Sequence, residues 1–184
     1  MGLDISAYSY LRQKEVFTDA NRNIQRFAER SLPQIRSEEE LINITKSMID
    51  RPDQYRVQDM QEGPYYETIR TKEFNFRAGS YSGYNTYRKM LSECFLGVTQ
   101  DEVWANESQY EGKPFYEQVN FSDCEGFIGP EVSAKLAKDY RDGRARWLEY
   151  LNGRMEDVGY YIEVYDKWTR AFELASQDGV LCFY

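Results

Sequence analysis

Strand-like patterns stand at both ends of this chain and enclose helical ones, and this order constrains the fold more than any other feature. Residues 3–11 alternate between apolar and polar, with Leu3, Ile5, Ala7 and Leu11 on one face, as in a half-buried strand. The apolar run 180–184 follows an Asp-Gly turn and predicts a C-terminal strand, and the 65–77 region predicts another. We therefore predict an α+β fold in which a small, mostly antiparallel sheet is packed by about four helices.

Helices are predicted where apolar residues recur three and four positions apart. The capping-box spacing of Ser37 and Glu40 predicts a helix over 38–50, which ends before Arg51-Pro52. The others are expected from Ser82 or Gly83 to Gly97, from Gly129-Pro130 past Gly143, and near 156–176.

The rest of the chain has weaker patterns and no sign of a second domain. Residues 98–114 are predicted to be irregular, with Trp104 as their large anchor. Neither an internal repeat nor a linker-like composition interrupts the 184 residues, of which 41% are hydrophobic. Because a chain of this length can bury a core of its own, we expect a single α+β domain over residues 1–184.

Charge and aromatic content bound the possible partners. The chain has 31 acidic and 23 basic residues and a net charge of −8. Because phosphate neutralisation requires clustered Lys and Arg, no direct nucleic-acid binding is expected. Tyrosine is abundant, with 16 residues. Tyr can form half-wet stacking surfaces for a ligand, or it can replace Phe in the outer core, and both interpretations are open.

Cysteine usage and hydropathy indicate the compartment. Cys94, Cys124 and Cys182 are odd in number and widely spaced, as free thiols in a reducing compartment are. No apolar run approaches the ~18 residues that a membrane span needs, and no secretory segment is recognised. The sequence therefore predicts a cytoplasmic protein without a membrane partner.

The chain contains no histidine, which excludes whole classes of mechanism. Imidazole is the base that activates Ser or Cys nucleophiles near neutral pH, so Ser-His-Asp and Cys-His mechanisms are excluded. H-E-x-x-H zinc sites and the usual iron triads are excluded for the same reason. The segment 79–83 resembles a nucleophile elbow but places Tyr81 at its centre instead of Ser. Carboxylate, thiolate, Lys or Tyr chemistry remains, or binding without chemistry, and no cofactor is expected.

The segment 74–85 is the first candidate site, because a strand, a loop of small residues and a helix start follow one another there. Backbone amides at a helix start are unsatisfied donors that attract anions. The same segment has a structural explanation, in which the glycines make the turn, Ser82 caps the helix and Tyr84 packs in the core. The side chains predicted to bind a small anionic, nucleotide-like ligand are Arg77, Ser80, Tyr81, Ser82, Tyr84 and Asn85.

The segment 120–130 is the second candidate, a polar cluster with glycines that leads into a helix. Asp123 and Glu125 are predicted to form a second wall of the ligand site with Lys135, provided that the two loops meet in space. Alternatively, the two carboxylates act as acid and base, or hold Mg²⁺ or Ca²⁺. Cys124 would be a nucleophile only if its thiolate were stabilised. A tight loop with solvated acids explains the same residues.

Five segments carry a resemblance that covers most of the chain. They are MGLD at the start, FRAGSYSGYN at 76–85, NFSDCEG at 120–126, VSAKL at 132–136 and the tail 168–183. Together they resemble a group of uncharacterised proteins from tailed bacteriophages and prophages, and no known activity comes with that resemblance. It implies a viral or prophage protein in a bacterial cytoplasm, where small host-takeover and anti-defence factors commonly act by binding.

We therefore expect a non-catalytic bacteriophage accessory protein, a host-takeover or anti-defence factor that binds a small anionic ligand or a host protein. Two alternatives stay open. One is a carboxylate-based hydrolase, with or without a divalent metal, that uses Asp123 and Glu125. The other is an acidic protein that imitates nucleic acid or blocks a basic host protein.

Overall fold

Two sheets form the β part of the computed structural model, which describes residues 2–13, 39–44, 57–121 and 125–184. The larger sheet has the order β4-β7-β8-β1-β6, and the smaller one the order β2-β5-β3. Neighbouring strands are antiparallel, except β4 and β7, which are parallel. The strands are β1 (Leu3–Tyr8), β2 (Arg12–Gln13), β3 (Ile42–Ile44), β4 (Val57–Gln58), β5 (Gly63–Tyr66), β6 (Glu73–Gly79), β7 (Gly126–Ile128) and β8 (Val180–Phe183).

Among the described residues, three long helices and three short ones follow β6 in the chain. They are α1 (Tyr81–Leu91), continued by a π-helical turn (Ser92–Leu96), α2 (Gln100–Ala105), α3 (Glu107–Tyr110), α4 (Tyr116–Val119), α5 (Pro130–Asn152) and α6 (Gly159–Ala175). Gly97 ends the first of them with a left-handed φ of 74°, which glycine adopts without a steric penalty. The predicted α+β fold with a mostly antiparallel sheet is confirmed.

Strand β1 separates two layers of the molecule. Leu3, Ile5 and Ala7 are at most 1% exposed and pack into the main core, where helix α6 lies against β1. Side chains alternate along a strand, so Tyr8 lies on the opposite face, in a second core between the two sheets. The layers are therefore helices, larger sheet and smaller sheet. The other buried members of the second core are Ile42, Ile44, Tyr65, Val180 and Cys182.

Aromatic rings fill the main core. Trp168 stacks on Tyr84 with ring centroids 5.4 Å apart, and both residues are completely buried. The Tyr140 hydroxyl donates to Oε1 of Gln118 at 2.7 Å and lies 3.1 Å from the Tyr87 hydroxyl. Buried phenols that keep hydrogen-bond partners add apolar area at little polar cost. At these positions, tyrosine serves as a core residue.

The helix predicted over 38–50 is wrong at its start. Ile42 and Ile44 belong to strand β3, bury their side chains, and leave Asn43 exposed between them. This two-residue alternation fits the small sheet, and β-branched Ile packs well on a pleated surface. Residues 45–50 lie outside the described ones.

The irregular structure predicted for 98–114 is also wrong, because helices α2 and α3 lie there. The Thr99 side chain accepts a hydrogen bond from the Glu102 amide at 3.2 Å and caps α2. The pattern Thr-x-x-Glu at 99–102 is therefore a capping signal from which this helix start could have been predicted. Trp104 is 42% exposed, and the buried anchor of this stretch is its neighbour Val103.

Gly179 lies in the turn before β8, where the chain passes the end of β1. A Cβ atom at this position would overlap the carbonyl oxygen of Tyr8, a backbone atom that cannot rotate away. We predict that Gly179→Ala lowers the free energy of unfolding by about 1–3 kcal/mol, the cost of forced overlap in packed structure.

The matched control is Gly153→Ala. The atom nearest to a Cβ at Gly153 is 3.6 Å away, an ordinary contact. This substitution should change the free energy of unfolding by less than about 0.5 kcal/mol. Urea unfolding that gives equal losses for both variants would contradict the prediction.

Candidate functional site

Two hydroxyl groups lie at the start of α1, on the exposed residues Ser80 and Ser82. The Oγ atom of Ser80 accepts a hydrogen bond from the Gly83 amide at 3.0 Å and so caps the helix. The Ser82 Oγ atom lies 3.0 Å from that of Ser80. The helix cap proposed for Ser82 is therefore made by Ser80, and the Ser82 hydroxyl stays at the surface.

The first turn of α1 also has backbone amides that lack a hydrogen-bond acceptor among the described residues. The Tyr84 amide donates to the Ser80 carbonyl at 2.8 Å, whereas the amides of Tyr81 and Ser82 have no acceptor among the described residues. This turn contains no acidic side chain. The amides and the helix dipole together give the site a positive potential.

Aromatic side chains flank this helix start. Tyr81 is half-buried and packs against the main core. Tyr160, at the beginning of α6, is 55% exposed, and its hydroxyl lies 3.2 Å from the position that a Cβ of Gly79 would occupy. Tyr160 was not a predicted site residue, because it stands off the apolar stripe of α6. Only the packing of α6 beside the β6–α1 turn reveals its position.

Tyr84 and Asn85, which were predicted for the ligand site, face the interior of the protein. Tyr84 is completely buried beneath Trp168, so its ring offers no surface on which a ligand could stack. Asn85 is half-buried and accepts a hydrogen bond from Nη2 of Arg88. Both belong to the interior side of α1.

The side chain of Arg77 lies on the face of the sheet opposite to the start of α1. Its strand neighbours Phe76 and Ala78 pack against the helical core, so alternation places Arg77 on the other face. Its side chain is 61% exposed and its Nη1 atom lies 3.9 Å from Oδ2 of Asp4. An exposed pair at this distance contributes little to stability.

The second predicted wall is only partly described. Asp123 lies outside the described residues, as do its neighbours 122 and 124. Glu125 is half-buried and directly precedes β7. Strands β1 and β8 stand between β7 and β6, so Glu125 and Arg77 are three strand spacings, or roughly 14 Å, apart. The two side chains do not form one wall by direct contact.

Lys135 is held in a separate ionic cluster on α5. Its Nζ atom lies 2.5 Å from Oε2 of Glu117 and 2.9 Å from Oδ2 of Asp139. It also donates to the Lys113 carbonyl at 2.7 Å. The Asp139 carboxylate accepts the amide of Phe115, a residue with a left-handed φ of 62°. The cluster therefore stabilises the turn before α4.

Arg88, which was not a predicted site residue, connects the two candidate segments. It is 3% exposed, and its guanidinium donates to the Phe121 carbonyl and to Oδ1 of Asn85. A longer bond of 3.4 Å reaches the Val119 carbonyl, which also accepts from Nε1 of Trp104. The segments do meet, but through a buried cation that fixes the backbone. An Arg inside the apolar stripe of α1 was the signal for it.

The N-terminus of α5 already holds an anionic group from the protein. Oδ2 of Asp59 accepts the amides of Glu131 and Val132, at 2.5 and 2.9 Å. Burial raises the pKa of Asp59, while these two hydrogen bonds act to lower it. Asp59 also lines a cleft of about 220 Å³, with Met60, Tyr65 and Asp178 among the other lining residues.

Cys94 and Cys182 are free and buried. Burial raises the pKa of the Cys94 thiol to about 11 and that of Cys182 to about 12. Both are therefore protonated at neutral pH, and a protonated thiol is a poor nucleophile. Cys124 lies outside the described residues.

No protein-family model, curated protein or solved structure matches the chain. Within the described ranges, no group of three or more His, Cys, Asp or Glu residues is arranged to hold a metal ion. No helix in that part of the chain combines the length and the apolar character needed to cross a bilayer.

We predict that Arg88→Met lowers the free energy of unfolding by about 2–4 kcal/mol, because buried carbonyls lose a charged donor. Hydrogen exchange of the amides at 119–121 should also become faster. Lys89→Met, which changes the exposed neighbouring residue, is the control. Exchange rates at 119–121 that stay unchanged in Arg88→Met would contradict the assigned role.

Thiol reactivity tests the two buried cysteines. In a Cys124→Ser variant at pH 8, Cys94 and Cys182 should not react with Ellman's reagent while the protein is folded, because pH 8 lies below both pKa values. Both thiols should react in denaturant. Rapid reaction of either thiol in the folded protein would show that its surroundings are wrong.

Proposed function

We propose that this chain is a non-catalytic binding protein that holds a small anionic, nucleotide-like ligand at the start of α1. The observation that carries the proposal is the pair of serine hydroxyls, 3.0 Å apart, on a helix start without an acidic residue. An anion placed there would accept hydrogen bonds from the Ser82 hydroxyl and from the amides of Tyr81 and Ser82.

The flat part of such a ligand has aromatic neighbours at this site. Tyr160 exposes 55% of its surface beside Gly79, and Tyr81 is half-buried at the first position of α1. Rings next to an anion-binding turn suit a ligand that joins a phosphate to a base. Arg77 and Lys135, which the sequence suggested as charge partners, do not enter this proposal. Arg77 lies on the other face of the sheet beside Asp4, and Lys135 is paired with Glu117 and Asp139.

Binding without catalysis fits the groups near this turn. Hydroxyl and amide donors hold an anion, but neither is a base at neutral pH, and the chain has no histidine to activate the serines. These hydroxyl and amide donors therefore select an anionic ligand, which is bound without any bond being broken.

The protein acts, in this proposal, as a phage accessory factor in the bacterial cytoplasm, where it takes over a host function or counters a defence. The resemblance of segments 76–85 and 120–126 to phage and prophage proteins supports this context. The free thiols of Cys94 and Cys182 support a reducing compartment. The ligand would be a small signal or metabolite that the infected cell supplies.

Titration with inorganic phosphate and with AMP, followed by NMR, tests the proposal. The amide signals of Tyr81 and Ser82 should shift, and Ser82→Ala should weaken binding about 10-fold because one charge-assisted hydrogen bond is lost. Ser82→Glu should abolish binding while the helix stays stable, because a carboxylate is favourable at a helix start and repels the ligand.

Ser108→Glu is the matched control, since it makes the same change at an exposed site on α3. It should bind both anions as the wild-type protein does. Equal affinity of wild type and Ser82→Glu, or shifts confined to other segments, would contradict the proposal.

A further inference from the structure

Strand β6 is an edge of the larger sheet, and the described residues add no strand beyond it. Its orientation follows from the centre of the sheet. Asp4 and Tyr184 exchange two backbone hydrogen bonds, of 3.3 and 3.0 Å, so the polar groups of residue 4 point to β8. Those of Ile5 must then point to β6, where Ile5 pairs with Phe76.

The remaining backbone groups of β6 point outward. In an antiparallel pair, successive residues direct their amide and carbonyl groups to opposite sides. Phe74 and Phe76 therefore bond to β1, whereas Glu73, Asn75 and Arg77 present theirs at the open edge. The side chains of these three residues are also exposed, on the sheet face away from the helices.

The sequence of this edge is self-complementary. The geometry points to a second copy of this chain as the occupant of the edge: two β6 strands pair antiparallel around a twofold axis at Asn75. In that register, Glu73 of each copy lies opposite Arg77 of the other, and both outward rows of backbone groups are satisfied. Cross-strand pairs of opposite charge stabilise a sheet, and an isologous contact closes at two copies.

In the same register, the aromatic side chains on the helical face of β6 also pair with each other across the two copies. Phe74 of one copy lies opposite Phe76 of the other, and both side chains are half-buried, with rings 5.7 Å apart within one copy. Aromatic pairs across strands are among the favourable ones. The run Glu-Phe-Asn-Phe-Arg thus has opposite charges outside, aromatic residues inside and an amide at the centre.

The contacts that these side chains make within one copy do not prevent this pairing. Arg77 lies 3.9 Å from the exposed Asp4, a weak ion pair. Oε1 of Glu73 accepts a hydrogen bond of 2.6 Å from Asn75 along the same strand and a longer one of 3.4 Å from the Tyr8 hydroxyl. A single pair of short strands buries less than the ~1,600 Å² of a standard interface, so we expect a weak dimer with a Kd of about 10–100 μM.

Sedimentation equilibrium of the full chain, from about 5 to 500 μM, measures this Kd. Arg77→Glu and Glu73→Arg each place like charges opposite each other twice, and each should weaken the dimer at least about 10-fold. The double variant, Glu73→Arg with Arg77→Glu, restores both pairs and should recover the wild-type Kd. Asn75→Pro removes an outward amide without touching the bonds to β1, and should give a monomer.

Lys89→Glu makes the same charge change on the exposed side of α1 and should leave the Kd unchanged. In a Cys124→Ser background, Asn75→Cys should form an intermolecular disulfide on oxidation, because the two positions meet at the axis. A wild-type chain that stays monomeric at about 500 μM overturns the inference. So does a dimer that persists unchanged in both Arg77→Glu and Asn75→Pro.

Discussion

The pairing of β1 with β8 on one side and β6 on the other is the interaction on which the rest of the structure depends. It joins segments more than 170 positions apart in the sequence and fixes the register of both neighbours. Because β6 ends at Gly79, its pairing with β1 fixes the position of Ser80, the N-cap of α1. With β8 in place, β7 can pair and α5 can begin above the sheet. The position of the proposed ligand site is therefore set by strand pairing.

Helix starts in this protein differ in how their dipoles are neutralised. Helix α5 receives the Asp59 carboxylate from a segment 72 positions away, and α2 has acidic residues in its own first turn. Helix α1 has neither and offers hydroxyl groups instead. Because acids at helix starts are stabilising, their absence at α1 forgoes a contribution of about 0.3–1 kcal/mol. A ligand that supplies the charge would recover it.

Periodicity predicted the elements that bury a continuous stripe. The helical patterns of α5 and α6 are long, and their apolar residues pack as expected. The alternation of β1 was correct for Leu3, Ile5 and Ala7, but the strand predicted over 3–11 ends at Tyr8, which is buried in the second core. Short elements such as β3 were not predictable, because three residues carry too little pattern to outweigh a neighbouring capping signal. Tyr84 shows a different limit. An aromatic residue beside a glycine loop fits a ligand site or a core equally, and only packing against Trp168 decides.

The late position of β8 in the sequence has a consequence for synthesis on the ribosome. Strands β1 and β7 are both neighbours of β8, so the middle of the larger sheet stays incomplete until residues 180–183 leave the exit tunnel. Contacts of such long range are slow to form, because loop closure must precede the gain from pairing. Until then the edge of β1 that faces β8 has unpaired backbone amides and carbonyls, and chaperones that bind extended segments would have their longest opportunity there.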